Sequence, residues 1–370
     1  MSKKWIIVVQ QETLRERPRI RKLCKILESL NLQFEVWKFG DQQSDEIPGM
    51  RIRNLLGAGW RTRPAVVRYA IWMVAVLVNA FRERSTALFF AVGFDSAAPL
   101  TALSIQRPAM IFDNIDNVSL SYRWPYGFAW VFRALESWVA WRAQIHVVPS
   151  RARWSRVDRN LRVVANTPSR EALSEAKVIA EQHGYQRDAD LTVYLNGWLP
   201  ETRGIQTLTS ALVLVHEKGI RVRVLLAGRP SCQSANRLIA MPCTENLGML
   251  TNPEALAQYY RSDLAFIYYD PSIAINRVAE SQKWTDCWAT NTAFITNEEV
   301  ETLKEYVRQG ACLTLPYNDS AALALLLESL SRDRSPLERV RTNLKKMEFR
   351  FWDEEMKSVI NEWSAMNATN

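Results

Sequence analysis

The chain has 370 residues, 48% of them hydrophobic and 23% charged, which excludes a disordered or fibrous protein and predicts a globular protein with two domains. Its net charge of +8 is unevenly placed, because residues 1–165 hold 25 Lys and Arg against 13 Asp and Glu, whereas the remainder holds 22 against 26. A basic first half beside a mildly acidic second half indicates two units with different partners, and the basic half suits nucleic acid, an anionic membrane surface or a phosphorylated acceptor.

The first half alternates apolar strands with a helical pattern. Trp5–Val9 is an apolar run that predicts the first strand, and Pro18–Leu30 repeats apolar residues at helical spacing. Further short strands are predicted at Gln33–Phe39, Leu88–Val92, Met110–Phe112 and Ile145–Val148. Strands that alternate with helices predict a parallel, doubly wound sheet.

Residues 60–84 and 124–142 are unusually rich in apolar and aromatic residues. The first stretch begins Trp-Arg-Thr-Arg-Pro, carries no charge through Tyr69–Val78 and ends Phe-Arg-Glu-Arg. Its uncharged run is about half of the roughly 20 residues that a spanning helix needs, so we do not expect it to cross a membrane. Two alternatives stay open for it: a helix buried in the core, or an interfacial helix with arginine ends and aromatic anchors.

The second half repeats the alternation of strands and helices. Residues 166–190 are predicted as the connection, with a turn at Asn-Thr-Pro-Ser followed by a polar helix and a charged loop. Beyond it we predict strands at Leu191–Asn196, Val222–Ala227, Leu264–Tyr268 and Ala293–Thr296, and helices at Ile205–Lys218, Ala255–Arg261 and Phe349–Trp363.

Several common catalytic and cofactor motifs are missing from the sequence. No Gly-x-Gly-x-x-Gly follows the first strand, which argues against a dinucleotide-binding dehydrogenase, and there is no P-loop, His-Glu-x-x-His or Gly-x-Ser-x-Gly. The five cysteines and three histidines have no metal-ligand or redox spacing. We therefore expect no metal site, and free thiols in a reducing cytoplasm.

The second half carries the motifs that point to chemistry. Gly197 ends a strand and Arg203-Gly204 stands at a helix start, where a cation and helix N–H groups together suit a diphosphate. The motifs that follow in chain order are Ala227-Gly228, Gly248-Met249-Leu250, Tyr259-Tyr260-Arg261-Ser262-Asp263, Pro271-Ser272, Glu280-Ser281-Gln282-Lys283 and Asp286.

In this order the elements resemble the donor domain of the retaining GT-B glycosyltransferases of family 4. In that family a strand–Gly–x–Leu segment is followed by Lys/Arg-Gly-Ile and then by a strand that ends in Ala-Gly. Next comes a Gly-hydrophobic turn before a helix that closes in Tyr and Ser/Ala-Asp. A Pro-Ser loop then leads to Lys-x-x-Glu/Asp-x-x-Ala. All of these recur over residues 191–297. The first half is similar more loosely, through Ile111–Asp116 and Asn166-Thr167-Pro168. The resemblance implies an α/β, GT-B fold in which two Rossmann-like, doubly wound parallel-sheet domains face across a cleft.

The resemblance also implies roles for individual residues. Arg203 and Lys283 would neutralise the diphosphate of a sugar donor, and Asp286 would accept hydrogen bonds from its ribose. The other residues implied at the donor site are Gly197, Gly248, Met249, Glu280 and Ser281. Asp113 and Asp116 would be catalytic residues at the cleft.

Each of these roles has a plainer alternative. Arg203 and Lys283 could be solvated surface charges, Asp286 could be a local cap or ion-pair partner, and Asp113 and Asp116 could be turn residues that cap a helix. The sequence also departs from the family. Trp198 stands where an arginine is common, and Val278 stands where the family's Glu-x7-Glu pattern has its first acid.

These inferences give an expected domain plan. An N-terminal acceptor-binding domain is expected over 1–165, a linker over 166–190 and a donor-binding domain over 191–348. The remaining residues, 349–370, are expected to form a helix that crosses back to the first domain.

The implied activity is transfer of a hexosyl group from a nucleotide-diphosphate sugar to an acceptor hydroxyl, with retention and with neither cofactor nor metal. The basic, tryptophan-rich first half favours a saccharide or lipid-linked saccharide acceptor, as in bacterial surface polysaccharide or glycolipid assembly, and an anionic membrane surface as partner. We expect a cytoplasmic protein on the inner face of the cell membrane and no nucleic-acid partner. Two alternatives stay open: a nucleotide-sugar epimerase of the same architecture, and a catalytically inert GT-B-like subunit that binds a partner.

Overall fold

The structure is a computed structural model that describes residues 3–10, 14, 18–40, 50–103, 108–121, 124, 128–154, 156, 158–184 and 188–368. Its strands are β1 (Lys4–Val9), β2 (Phe34–Phe39), β3 (Arg51–Leu56), β4 (Ala87–Val92), β5 (Met110–Asp113), β6 (Ile145–Val148), β7 (Leu161–Val163), β8 (Leu191–Leu199), β9 (Val222–Pro230), β10 (Thr244–Gly248), β11 (Leu264–Ile267), β12 (Ala293–Asn297) and β13 (Leu313–Leu315). Its helices are α1 (Pro18–Ser29), α2 (Ala65–Glu83), α3 (Phe94–Thr101), α4 (Val118–Ser121), α5 (Phe128–Arg142), α6 (Arg170–His183), α7 (Ile205–Glu217), α8 (Gln233–Ile239), α9 (Asn252–Tyr260), α10 (Ala274–Arg277), α11 (Gln282–Thr290), α12 (Lys304–Arg308), α13 (Ser320–Arg332), α14 (Ser335–Lys346) and α15 (Trp352–Ala368).

The chain divides into two compact units. Unit 1 comprises residues 1–165 together with 352–370, and unit 2 comprises residues 166–351. Each unit has one sheet, and every strand pairing in both sheets is parallel. The strand orders are β3-β2-β1-β4-β5-β6-β7 in unit 1 and β10-β9-β8-β11-β12-β13 in unit 2. The two doubly wound parallel sheets that the sequence predicts are confirmed.

The sheet of unit 1 is covered by helices on both faces. Strand β1 shows why, because its side chains alternate between two separate apolar cores. Trp5, Ile7 and Val9 join the core beneath α1 and α15, whereas Ile6 and Val8 join the core beneath α2, α3 and α5. An uninterrupted apolar strand is therefore what a central position in a two-sided sheet requires.

Helix α15 packs within unit 1 although it lies at the far end of the chain. Its buried side chains repeat at helical spacing, and the list is Trp352, Met356, Val359, Ile360 and Trp363. The ring of Trp363 meets that of Trp5 edge-on at 4.7 Å, and its Nε1 donates a hydrogen bond to Gln144 Oε1 at 2.6 Å. The last element of the chain thus completes the core around its first strand.

The segment expected to be a linker contains helix α6 and falls in unit 2. Helix α6 packs against α9, and Ser169 caps it by accepting a hydrogen bond from the Ala172 amide at 3.3 Å. Its buried alanines, Ala172 and Ala176, belong to the core of unit 2. Residues 185–187 of the same segment lie outside the described residues.

Helix α2 is buried along one side only. Among its 19 residues only Trp72, Val76 and Ala80 are buried. By length and composition it is the one helix of the described chain that could cross a membrane, and 17% of its apolar window is buried inside the protein. The helix expected either in the core or at an interface therefore exposes most of its apolar surface.

A candidate donor site at the carboxyl edge of the second sheet

The central feature of unit 2 is a narrow groove where its strand order reverses. The sheet begins with β8, continues outward through β9 and β10, and then resumes on the other side of β8 with β11. Open parallel sheets bind ligands outside the carboxyl ends of the strands at such a switch point. The lining residues are Leu195, Asn196, Trp198, Leu199, Arg203, Phe266, Ile267, Tyr268, Tyr269 and Lys283.

Two glycines shape the strand ends at this groove. A Cβ on Gly228, whose φ is +121°, would lie 2.1 Å from the Gly197 carbonyl oxygen, so no larger residue fits there. Gly197 itself has φ +97°, and a Cβ there would lie 3.3 Å from Lys283 Cε and Nζ. The glycines that the sequence singles out therefore leave room for a lysine against the backbone.

Arg203 is held in the groove with unused hydrogen-bonding capacity. It ends a short 3-10 helix, Glu201–Arg203, that follows β8, and its guanidinium lies 4.0 Å from the ring centre of Tyr269. Its Nε and Nη1 atoms are buried and have no hydrogen-bond partner among the described residues. Buried donors of a cation are costly unless an acceptor satisfies them, so the position of Arg203 suits an anionic ligand.

The start of α11 supplies the second cation and a set of backbone donors. Ser281 caps the helix, and its buried hydroxyl accepts a hydrogen bond from the Lys283 amide at 3.2 Å. Glu280 precedes this cap and is partly exposed. Lys283 and Arg203 line the same groove, so two cations and a helix N-terminus converge there, as an anionic phosphate group requires.

Asp286 lies one turn further along α11 and is buried. It does not line the groove; instead its charge raises the pKa values of Tyr194 and Tyr259, although burial is the larger cause for both phenols. The Tyr259 hydroxyl donates a hydrogen bond to Asn196 Oδ1 at 3.2 Å, which links this buried cluster to the groove. The ribose-binding role of Asp286 stays a prediction.

Gly248 and Met249 occupy the end of the edge strand β10. Gly248 has φ +66°, and its amide donates to Asn246 Oδ1 at 3.1 Å. Met249 is 65% exposed. Neither residue lines the groove around Arg203 and Lys283.

The two aspartates expected to be catalytic are both in ion pairs within unit 1. Arg19 binds the buried Asp113 through two hydrogen bonds of 2.7 Å, and Trp352 covers Arg19 at 5.2 Å. Asp116 is exposed and pairs with Arg153 at 2.7 Å. Both carboxylates therefore have a structural partner, and their catalytic role stays a prediction.

The carboxyl edge of the first sheet holds buried polar atoms at residues outside the predicted site. After the neighbouring strands β4, β5 and β6 stand five buried oxygens without a hydrogen-bond partner among the described residues: Asp95 Oδ2, Ser96 Oγ, Asn114 Oδ1, Asn117 Oδ1 and Ser150 Oγ. Burial raises the pKa of the half-buried Asp95 to about 7. The signal available in the sequence was positional, since each residue closely follows the end of a predicted strand.

The groove in unit 2 also contains residues that the sequence reasoning did not select as donor-binding. Asn196, Tyr268 and Tyr269 stand at the ends of the neighbouring strands β8 and β11. The predicted donor residues brought together in one place are Arg203 and Lys283, with Gly197 and Ser281 beside Lys283.

Comparisons with known proteins support the architecture. No family model matches the sequence, and no curated protein sequence matches it. Sucrose-phosphate synthase from Thermosynechococcus elongatus superimposes with a TM-score of 0.72 over 100% of both chains at 15% identity. The fold is that of the GT-B glycosyltransferases. Anabaena HepE, solved in complex with UDP-glucose, has a TM-score of 0.62 over 99% of both chains at 15% identity. A glycosyltransferase from Rickettsia africae has a TM-score of 0.64 over 100% of this chain and 99% of its own, at 12% identity.

Proposed function

We propose that the protein is a glycosyltransferase that moves a sugar from a nucleotide-diphosphate donor to an acceptor hydroxyl. The observation that carries this proposal is the guanidinium of Arg203, whose buried Nε and Nη1 have no hydrogen-bond partner among the described residues and which shares a groove with Lys283 at the switch point of a GT-B donor-type sheet. A ligand that brings negative charge into this groove would satisfy both cations.

The chemistry of sugar transfer accounts for such a groove. Cleavage of the bond between the anomeric carbon and the diphosphate leaves negative charge on the departing phosphate oxygen. Preorganised cations and N–H donors stabilise that charge more in the transition state than in the bound donor. In the proposed reaction Arg203, Lys283 and the first amides of α11 would do this work, and the shared groove of the two cations supports it.

Three finer features of the proposal rest on the family resemblance. They are retention of configuration, a saccharide or lipid-linked saccharide acceptor of the kind used in surface polysaccharide or glycolipid assembly, and a place on the cytoplasmic side of the cell membrane. UDP-glucose is the first donor to test, because HepE was solved with it.

The direct experiment is a panel of nucleotide sugars screened by thermal shift, followed by donor turnover in the absence of acceptor. We expect one nucleotide sugar to raise Tm and then to be hydrolysed slowly to the nucleoside diphosphate. A sugar that stabilises the protein without being consumed would indicate the inert subunit. Formation of an isomeric nucleotide sugar would indicate the epimerase.

A further inference from the structure

Helices α2 and α5 lie in one layer on the same face of the first sheet. Both pack against α3, and the inward residues of all three belong to the same apolar core. The outward faces of α2 and α5 therefore point away from the same side of unit 1. This placement does not depend on the donor site, which lies in unit 2.

The outward face of α2 is an apolar stripe. Trp72, Val76 and Ala80 are buried at intervals of one turn, and the side chains on the opposite face are the exposed Val67, Val74, Val78 and Phe81. Val74 is 59% exposed and Phe81 is 56% exposed. The exposed face of a helix on a soluble protein normally carries polar residues. Helix α2 departs from this pattern because both of its faces carry apolar side chains.

The outward face of α5 repeats this arrangement with tryptophans. Trp130, Trp138 and Trp141 are 69%, 45% and 54% exposed, and they line an open groove of about 490 Å³ with Arg133 and Arg156. The only acidic residue of α5, Glu136, points the other way, since its carboxylate is buried and accepts hydrogen bonds from the amides of Val118 and Ser119. Exposed tryptophans beside arginines are typical of side chains that sit at the headgroup level of a bilayer.

The charge around these helices is almost wholly cationic. Residues 57–156 contain twelve arginines, no lysine and five acidic residues. Of those acids, Glu136 is buried and Asp95 has a buried carboxylate oxygen. The other three pair with arginines: Glu83 with Arg53, the buried Asp113 with Arg19, and the exposed Asp116 with Arg153. The exposed guanidiniums at the end of α2, Arg82 and Arg84, therefore remain available to phosphate groups.

We propose that the outward faces of α2 and α5 together form a surface that docks unit 1 on an anionic lipid leaflet. The apolar stripe and the tryptophans enter the boundary between headgroups and acyl chains, while the arginines bind lipid phosphates. Helix α2 lies on the leaflet and does not cross it, because its inward residues pack in the core and its Asn79 accepts a hydrogen bond from Arg53 on β3 at 2.8 Å. This inference names a surface for the membrane location that the proposed function includes, and its evidence, the exposed faces of α2 and α5, does not depend on the donor site.

The test is flotation of the full chain with vesicles of phosphatidylcholine and phosphatidylglycerol, compared with vesicles of phosphatidylcholine alone. Wild-type protein should float with the anionic vesicles and should be released by salt, since the arginine attraction is screened within about 10 Å at moderate ionic strength. Two variants remove apolar anchors from one helix each: Val74→Ser with Val78→Ser, and Trp130→Ser with Trp138→Ser. Each should lower the vesicle partition coefficient by about tenfold or more.

A matched control carries equally exposed apolar residues of unit 2 changed in the same way, Val178→Ser with Leu325→Ser, and should float like wild type. A charge variant, Arg82→Gln with Arg84→Gln, should bind weakly and lose most of its salt sensitivity. Thermal unfolding of every variant checks that both units remain folded. Wild type that fails to float at low salt would overturn the proposal. So would flotation that the helix variants leave unchanged, or a stable dimer that Trp130→Ser with Trp138→Ser converts to monomer without any lipid binding.

Discussion

Replacing Arg203 with methionine separates a ligand-binding arginine from a structural one. In the unliganded protein Arg203 Nε and Nη1 are buried without a hydrogen-bond acceptor among the described residues, so their desolvation is costly and the contact with the Tyr269 ring offsets it only in part. Methionine keeps much of the apolar stem and removes the charge. We therefore expect the unliganded variant to unfold at the same temperature as wild type or at a higher one.

The same substitution should weaken binding of the nucleoside diphosphate. A hydrogen bond to a charged group contributes about 1.5–3 kcal/mol, and Arg203 has two donors for the diphosphate whose contributions add only in part, so loss of about 2–4 kcal/mol is expected. That loss corresponds to an increase in Kd of roughly 30- to 1,000-fold. Titration calorimetry with UDP and thermal unfolding of the unliganded protein give the two quantities independently.

The matched control is Arg221→Met. Arg221 has a side chain that is 71% exposed and precedes β9, so it lies at the amino end of the sheet, opposite the groove. This variant carries the same change of net charge and should change Kd by less than about twofold, since a distant exposed charge is screened. Unchanged affinity in Arg203→Met, or a fall in Tm with no effect on affinity, would refute the assignment of Arg203 as a diphosphate ligand.

Three other substitutions test contacts seen in the structure. Gly197→Ala places a Cβ 3.3 Å from Lys283 Nζ and strains a residue with φ +97°, so it should weaken nucleotide binding. When the same substitution is made in the Lys283→Met variant, it should cost much less affinity. Additive losses in the double variant would contradict the contact between the two residues. His146 is buried between the rings of Phe112 and Trp154, and burial lowers its pKa to about 3. Because the folded state then binds fewer protons than the unfolded state, the free energy of unfolding should fall as pH drops from about 6.5 towards 3, by up to about 1.4 kcal/mol per pH unit. His146→Leu should flatten this slope in urea unfolding curves, and an identical slope would show that His146 does not cause it. Trp363→Ala removes a fully buried ring and the hydrogen bond to Gln144, and should destabilise unit 1 by about 3–5 kcal/mol in urea unfolding; a loss below about 1 kcal/mol would show that α15 is not part of the core.

Much of the fold could be predicted because its central strands are short apolar runs. The strands predicted at Trp5–Val9 and Leu88–Val92 match β1 and β4 to within one residue. The strands that were missed are all at sheet edges: β3, β7, β10 and β13. Edge strands are partly exposed and mix apolar with polar residues, so they lack the continuous apolar pattern that marks a strand buried on both faces.

The environment of helix α2 could not be read from its sequence. A helix that is apolar on all sides gives no periodic signal for which face is buried, so its sequence fits both the core and the interfacial alternative. The structure shows the buried face through Trp72, Val76 and Ala80.

The candidate site was predictable in part, and the limits are physical. Arg203 and Lys283 could be chosen because glycines and helix starts near them form a motif in sequence. The ion pairs of Asp113 with Arg19 and of Asp116 with Arg153 join residues 94 and 37 positions apart, and no local pattern reveals such pairs. The same holds for the buried polar oxygens beyond β4, β5 and β6, whose isolation depends on everything that packs around them.

The central claim is that the groove of unit 2 binds a nucleotide-diphosphate sugar as the donor of a transfer reaction. The most direct test is calorimetric titration of the wild-type protein with UDP-glucose and with other nucleotide sugars, followed by chromatography of the mixture for released nucleoside diphosphate. We predict saturable binding of at least one nucleotide sugar, slow release of its nucleoside diphosphate, and loss of both in Arg203→Met. Absence of binding across the panel, or binding that Arg203→Met and Lys283→Met leave intact, would contradict it.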